Sequence, residues 1–269
     1  MNKIKMTAED AGQARDLFIR LANIVEELRQ KCPWDRKQTK ESLRHLTIEE
    51  TYELADAIIQ DDAAAMKEEL GDLLLHILFY ASLAREQGLF SLEEMIQAQI
   101  DKLIRRHPHV YGDQQGASEA QIRANWEQIK AAEKAQRGHK AKTVLEGVPH
   151  SLPALIKAYR IQEKAASVGF DWEDAAKVWD KVKEEILEFE LAGDARQRED
   201  EMGDLLFALV NYCRHAGINP DDALARTNEK FRRRFEYIER QAHEKGEKLS
   251  DMPLQQMEDH WQQAKTEEE

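Results

Sequence analysis

Two stretches decide the fold: Glu69-Leu70-Gly71-Asp72-Leu73-Leu74-Leu75-His76-Ile77-Leu78-Phe79-Tyr80 and Glu201-Met202-Gly203-Asp204-Leu205-Leu206-Phe207-Ala208-Leu209-Val210-Asn211-Tyr212. Each opens on a Glu and an Asp three apart. From there Leu70 to Ala84 and Met202 to Cys213 are apolar almost all round. A helix without a polar face belongs in the middle of a bundle, so both are expected to be central. Upstream of each stands a second acidic string, Glu49-Glu50-x-x-Glu53 and Glu184-Glu185-x-x-Glu188.

Working outward, the same order of parts recurs. Trp34-Asp35 precedes the first copy and Phe170-Asp171-Trp172 the second. A later helix ends on basic residues each time, Lys102 with Arg106 and Lys230 with Arg234, and each half closes on a similar tail around Trp126 and Trp261. A period this long is a domain duplication and not a solenoid. Gly (12) and Pro (6) are scarce, apolar residues fall at helical spacing as in Leu17, Leu21, Ile24, Val25 and Leu28, and alternating strand patterns are nearly absent. The fold class is all-α. The expected organisation is a first domain over 1–136, a linker over 137–153 punctuated by Gly138, Gly147, Pro149 and Pro153, and a second domain over 154–269. Gly112 to Ser118 reads as a polar loop.

Composition narrows the function. There are 39 basic against 52 acidic residues, a net charge of −13. That argues against a general nucleic-acid or membrane-surface binder, which carries a basic excess. Cys32 and Cys213 stand far apart without partners at metal-ligand spacing, which fits a reducing, cytoplasmic setting. No apolar run reaches a membrane span, and Met1 to Asp10 has no apolar core of a signal peptide.

The chemistry lies in the carboxylates. Glu185 and Glu188 share one helix face, with Glu184 adjacent. Glu201 and Asp204 share a face of the next helix, and the turn at Gly193 and Asp194 makes the two helices antiparallel neighbours. Like charges three or four apart repel, so the quartet needs a cation between its members. Oxygen-only ligands suit Mg²⁺ or Mn²⁺. Gly203 would allow close helix–helix approach there, and Lys230 and Arg234 would supply cations for phosphate oxygens. Glu50, Glu53, Glu69 and Asp72 make a second candidate metal site in the first half. A lone acidic string is usually a solvated face, but packing does not require paired charges beside a core in two copies. Glu-x-x-His motifs, a Gly-rich phosphate loop, a Gly-x-Ser-x-Gly elbow and a Cys/His cluster are all missing.

Taken together these residues resemble the MazG nucleoside triphosphate pyrophosphohydrolases, in the two-domain bacterial form. The similarity extends to Cys32-Pro33-Trp34-Asp35, Thr47 to Glu53, Arg105 to Val110, Val168 to Trp172 and Asn228 to Phe231. The resemblance implies two tandem helical domains whose four-helix bundles are completed by dimerisation. It implies Mg²⁺-dependent cleavage of a nucleoside triphosphate between the α and β phosphates, with broad base choice. Carried over by position, Glu185, Glu188, Glu201 and Asp204 would hold Mg²⁺. Lys181, Lys230 and Arg234 would contact phosphates, and Trp261 would lie near the nucleotide. Glu184 or Glu185 would orient or deprotonate the attacking water. The second half is the expected catalytic unit; near the position of Lys181 the first half shows His45. Rival readings are a narrow dUTP- or dCTP-type pyrophosphatase and a non-catalytic nucleotide-binding adaptor.

Overall fold

The computed structural model describes residues 7–112, 118, 121–122, 125–126, 129, 133 and 143–268. The expected loop between Gly112 and Ser118, most of the first tail after Trp126, and 137–142 of the linker lie outside the described residues. Among the described residues the regular elements are all helices, with no strand. The chain divides into two compact units, Met1–Ile129 and Lys130–Glu269.

The first unit holds α1 (Ala8–Lys31), α2 (Lys40–Ile59), α3 (Ala63–Glu86), α4 (Leu92–Arg106) and the single turn α5 (Pro108–Tyr111). Polar side chains start the helices where the sequence supplies them. Thr39 and Ser42 form a capping box on α2, Asp62 accepts from the Ala64 and Ala65 amides of α3, and Ser91 with Glu94 caps α4. Each such cap is worth about 1 kcal/mol, because it satisfies amides that have no partner inside the helix. The core is Val25, Leu43, Leu78, Phe79 and Leu83, joining α1, α2 and α3. At its edge the hydroxyls of Thr47 and Tyr80 are hydrogen-bonded at 2.8 Å.

The second unit repeats the plan with α6 (Ala154–Ala166), α7 (Ala175–Leu191), α8 (Ala195–His215), α9 (Pro220–Lys245) and α10 (Leu254–Glu268). Asp174 caps α7 and Asp194 caps α8. Asn219 with Pro220 starts α9, and Gly246, at φ 67°, ends it in the left-handed conformation that favours glycine. The second basic run therefore sits inside a long helix, not at a helix end as its sequence position suggested. Val178 and Val182 of α7 and Ala208 and Val210 of α8 are buried where these two helices pack together. A separate cluster, Ile238, Ala242 and Met252 with Leu249, Met257 and Trp261, closes α9 on α10.

The two apolar helices depart from expectation. Leu78, Phe79 and Leu83 of α3 are buried, yet Leu70 is 51% exposed; on α8 Leu206 is 52% exposed. The cause is the number of neighbours. α2 and α1 pack on α3, and α7 and α6 pack on α8. Among the described residues of its own unit, each central helix keeps an exposed apolar side.

Candidate active site

The short connection between α7 and α8 folds them into an antiparallel hairpin, and the acidic strings meet across it. Among the described residues, carboxylate oxygens of Glu185, Glu201 and Asp204 all lie within 4.8 Å of one another. Glu185 is 5% exposed, Glu201 half-buried and Asp204 exposed, so the cluster runs from the interior to the surface. Glu188 flanks it. Its carboxyl is pushed above the usual range by loss of water first, then by the Glu185 carboxylate. Three hard oxygen donors at this spacing fit a divalent cation of the Mg²⁺ or Mn²⁺ kind. The protein's own counter-charge is Lys181, one turn before Glu185. Its ammonium stands 2.7 Å from Glu184 and 2.7 Å from Glu185. The hydrogen bonds to Glu184 and then Glu185 hold it well above the ordinary lysine value.

A cavity of about 410 Å³ opens beside the cluster, within the range of small-molecule sites. Lys181, Glu185 and Asp204 are among its charged lining residues. Val168, Phe170, Trp172 and Phe207 line its apolar walls, with Val144 and Leu145 from the expected linker. Gln162, Asn211, Asp171 and Arg214 add polar groups. Arg214 Nη1 donates to Asp171 at 2.9 Å, and His215 Nε2 lies 2.9 Å from the same carboxylate. Burial pushes the Asp171 carboxyl up, but Arg214 and His215 hold it below the usual range.

Lys230, Arg234 and Trp261 do not line this cavity. Lys230 is exposed on α9. Arg234 is paired with Glu268 at 2.7 Å, and its guanidinium lies 5.6 Å from the centre of the Trp261 ring. Trp261 also packs against Phe231, with ring centres 5.0 Å apart. Gly203 makes no close approach among the described residues: a Cβ there would meet nothing within 4 Å.

The MazG nucleotide pyrophosphohydrolase domain matches residues 38–111 and again 173–238. The chain belongs to the MazG family. It is 45% identical over 255 residues to the nucleoside triphosphate pyrophosphohydrolase/pyrophosphatase MazG of Thermotoga maritima, covering 94% of this chain and 97% of that one. It is 44% identical over 257 residues to the nucleoside triphosphate pyrophosphohydrolase of Escherichia coli, covering 93% and 97%. A nucleoside triphosphate pyrophosphohydrolase of Mycobacterium tuberculosis matches at 36% over 166 residues, 61% of this chain and 49% of that one.

The two MazG segments differ in what surrounds their acids. In the first, oxygens of Glu50, Glu69 and Asp72 also lie within 4.8 Å of one another. Burial first, then Asp72 and Glu53, raise the Glu50 carboxyl, and burial with Glu53 and Glu50 raises that of Glu69. Two of the partners of the second cluster are replaced by apolar residues, however. Leu46 stands one turn before Glu50, where the second MazG segment has Lys181, so His45 is one position out of register. Seven residues after Asp72 comes Phe79, a core residue 4% exposed, where Asn211 follows Asp204. Gln162, Asn211, Arg214 and Asp171 were not singled out as site residues from sequence. The available signal was Asn211, a lone amide inside an otherwise apolar helix.

Proposed function

We propose that this chain hydrolyses nucleoside triphosphates, ribo or deoxy, to the monophosphate and pyrophosphate, using Mg²⁺ or Mn²⁺ held in the second MazG segment. The observation that carries the reading is that Glu185 and Asp204 belong both to a metal-fit carboxylate cluster and to the lining of a nucleotide-sized cavity, which Lys181 also lines. It is supported by relatives of nearly equal length that are named as nucleoside triphosphate pyrophosphohydrolases.

Glu185, Glu188, Glu201 and Asp204 hold the cation at the hairpin. When bound, the ion neutralises phosphate charge and lowers the pKa of a water molecule. Lys181 is the first group to meet the triphosphate, exchanging a carboxylate for a phosphate oxygen. Glu184 is exposed beside it and is freed by that exchange to take the proton of the water that attacks the α-phosphorus in line. Glu185 shares in positioning that water. Lys230, Arg234 and Trp261 stand outside this cavity and enter the reading by their position in the family's pattern: Lys230 and Arg234 would neutralise the leaving pyrophosphate, and Trp261 would lie near the nucleotide. The uncovered sides of α3 and α8 support a homodimer in which a second copy completes the bundles. No helix among the described residues is long and apolar enough to cross a membrane. With the acidic balance, this supports a cytoplasmic protein without a nucleic-acid partner.

The test is incubation with Mg²⁺ and each of the eight common nucleoside triphosphates, with products separated by anion exchange. Monophosphate and pyrophosphate are expected from several bases. Diphosphate and orthophosphate would overturn α–β cleavage, and product from a single pyrimidine triphosphate would replace broad base choice with a narrow one.

A further inference from the structure

The cavity contains a buried acceptor that the fold leaves without a partner. Gln162 of α6 is 6% exposed, and its Nε2 donates to the Phe207 carbonyl oxygen at 2.8 Å. A carbonyl only accepts, so the amide is fixed with Oε1 turned away from it, and Oε1 has no hydrogen-bond partner. A buried, unpaired acceptor is costly, and folds retain few of them. Asn211, on α8 in the same cavity wall, is its complement. It is 5% exposed, and its Oδ1 accepts from Arg214 Nε at 3.1 Å and Nη2 at 2.9 Å. A guanidinium only donates, so this amide too is fixed, with Nδ2 directed away from Arg214. Asp171 in turn holds Arg214.

Two side chains that line the cavity therefore carry one fixed acceptor and one fixed donor, among apolar lining residues that include Phe170, Trp172 and Phe207. Flat apolar walls with a few convergent polar groups suit a heteroaromatic ring with a hydrogen-bonding edge. We propose that Gln162 and Asn211 are the specificity-determining pair that reads the nucleobase edge, with Gln162 Oε1 accepting from a base N–H and Asn211 Nδ2 donating to a base oxygen or ring nitrogen. This rests on the triphosphate reading above, because the phosphates are then fixed at Lys181, Glu185 and Asp204, which line the same cavity. Each common base carries one donor and one acceptor side by side, so the pair admits several bases while discriminating against a triphosphate without one. The first MazG segment has Phe79 in place of Asn211 and cannot make this reading.

The experiment compares the protein with Gln162→Met, Asn211→Leu and Asn211→Asp variants on ATP, GTP, CTP, UTP and ribose 5′-triphosphate, which has no base. The kcat/KM of each nucleotide relative to ribose 5′-triphosphate is expected to fall roughly tenfold in Gln162→Met and Asn211→Leu, the scale of one lost hydrogen bond with its partner left unpaired. Asn211→Asp keeps an acceptor for Arg214 but replaces the donor, so it is expected to fold and to re-rank the four nucleotides. Equal losses on all five substrates, or no change in the ratios, would overturn the proposal and leave the pair a structural one. Should the unaltered protein release no pyrophosphate from any nucleotide, the triphosphate reading itself fails. Calorimetric binding of the same five compounds then decides the pair separately, since preferential binding of the base-bearing ones must weaken in the variants.

Discussion

Lys181 places one ammonium between Glu184 and Glu185, 2.7 Å from an oxygen of each. Of the two carboxylates Glu185 is the buried one, its side chain 7% exposed against 57% for Glu184. Replacing Lys181 by Met would leave Glu185 buried beside Glu201 and Asp204 with no counter-charge. Breaking a fully buried pair costs about 3–5 kcal/mol. Lys181 is a third exposed and partly screened, so a loss of about 1–2 kcal/mol is expected. A divalent cation replaces the missing charge. Chemical denaturation of Lys181→Met with and without Mg²⁺ should therefore show a larger stabilisation by the ion than in the unaltered protein. An equal increment would mean that the ion does not bind at Glu185.

Asp204→Asn separates chemistry from folding. Asp204 is exposed and carries no ion pair among the described residues, and the change relieves repulsion with Glu185 and Glu201. Melting temperature should hold or rise, while pyrophosphate release falls by at least about 100-fold, the scale for loss of a group that stabilises transition-state charge. Full activity in this variant would remove the metal assignment.

The main architecture was legible because its signals are local. The acidic spacing and the short turn at Gly193 and Asp194 determine the α7–α8 hairpin, and hairpin geometry brings Glu185, Glu201 and Asp204 together. Contacts between distant helices were not legible. Gln162 meets Phe207 across 45 positions and Arg214 meets Asp171 across 43, and neither pair follows a period that a sequence reveals. The exposure of Leu70 and Leu206 was missed for a different reason. Periodicity shows which side chains are apolar, not whether enough neighbours are present to cover them.

The raised carboxyls of Glu50, Glu69 and Glu188 give a pH dependence of known sign. A carboxyl whose pKa is raised on folding binds its proton more tightly in the folded state. Its contribution to stability is present below the unfolded value, near 4.3 for Glu, and is lost as pH rises through the folded value. Carboxyls held low by cations, such as Asp171, act in the opposite sense, so total stability is not the readout. The ion's contribution is. Mg²⁺ must displace protons at low pH and only relieves repulsion at neutral pH, so its increment in melting temperature should be larger at about pH 7.5 than at about pH 5. An increment independent of pH would place the ion away from these clusters.

If Arg234 binds phosphate as proposed, it must first leave Glu268, which lies 2.7 Å away and is only 28% exposed. Glu268→Gln should lower KM for a nucleoside triphosphate by up to about fivefold, the worth of one partly screened ion pair, with kcat little changed. An unchanged KM would argue that Arg234 stays with Glu268 during turnover.

The two acidic clusters have the same spacing but unequal surroundings, and paired substitutions separate their roles. Glu69→Gln with Asp72→Asn removes charge from the cluster whose segment has Leu46 at the position of Lys181 and Phe79 at the position of Asn211. Glu201→Gln with Asp204→Asn removes it from the cluster that shares Lys181 and the cavity. The first pair should keep turnover within about threefold of the unaltered protein and remove one Mg²⁺-dependent part of its thermal stabilisation, since less than 1 kcal/mol of barrier is at stake without substrate contact. The second should abolish pyrophosphate release. Comparable losses in both would show that the first MazG segment also turns over substrate, and that Lys181 and the cavity are not what makes a segment catalytic.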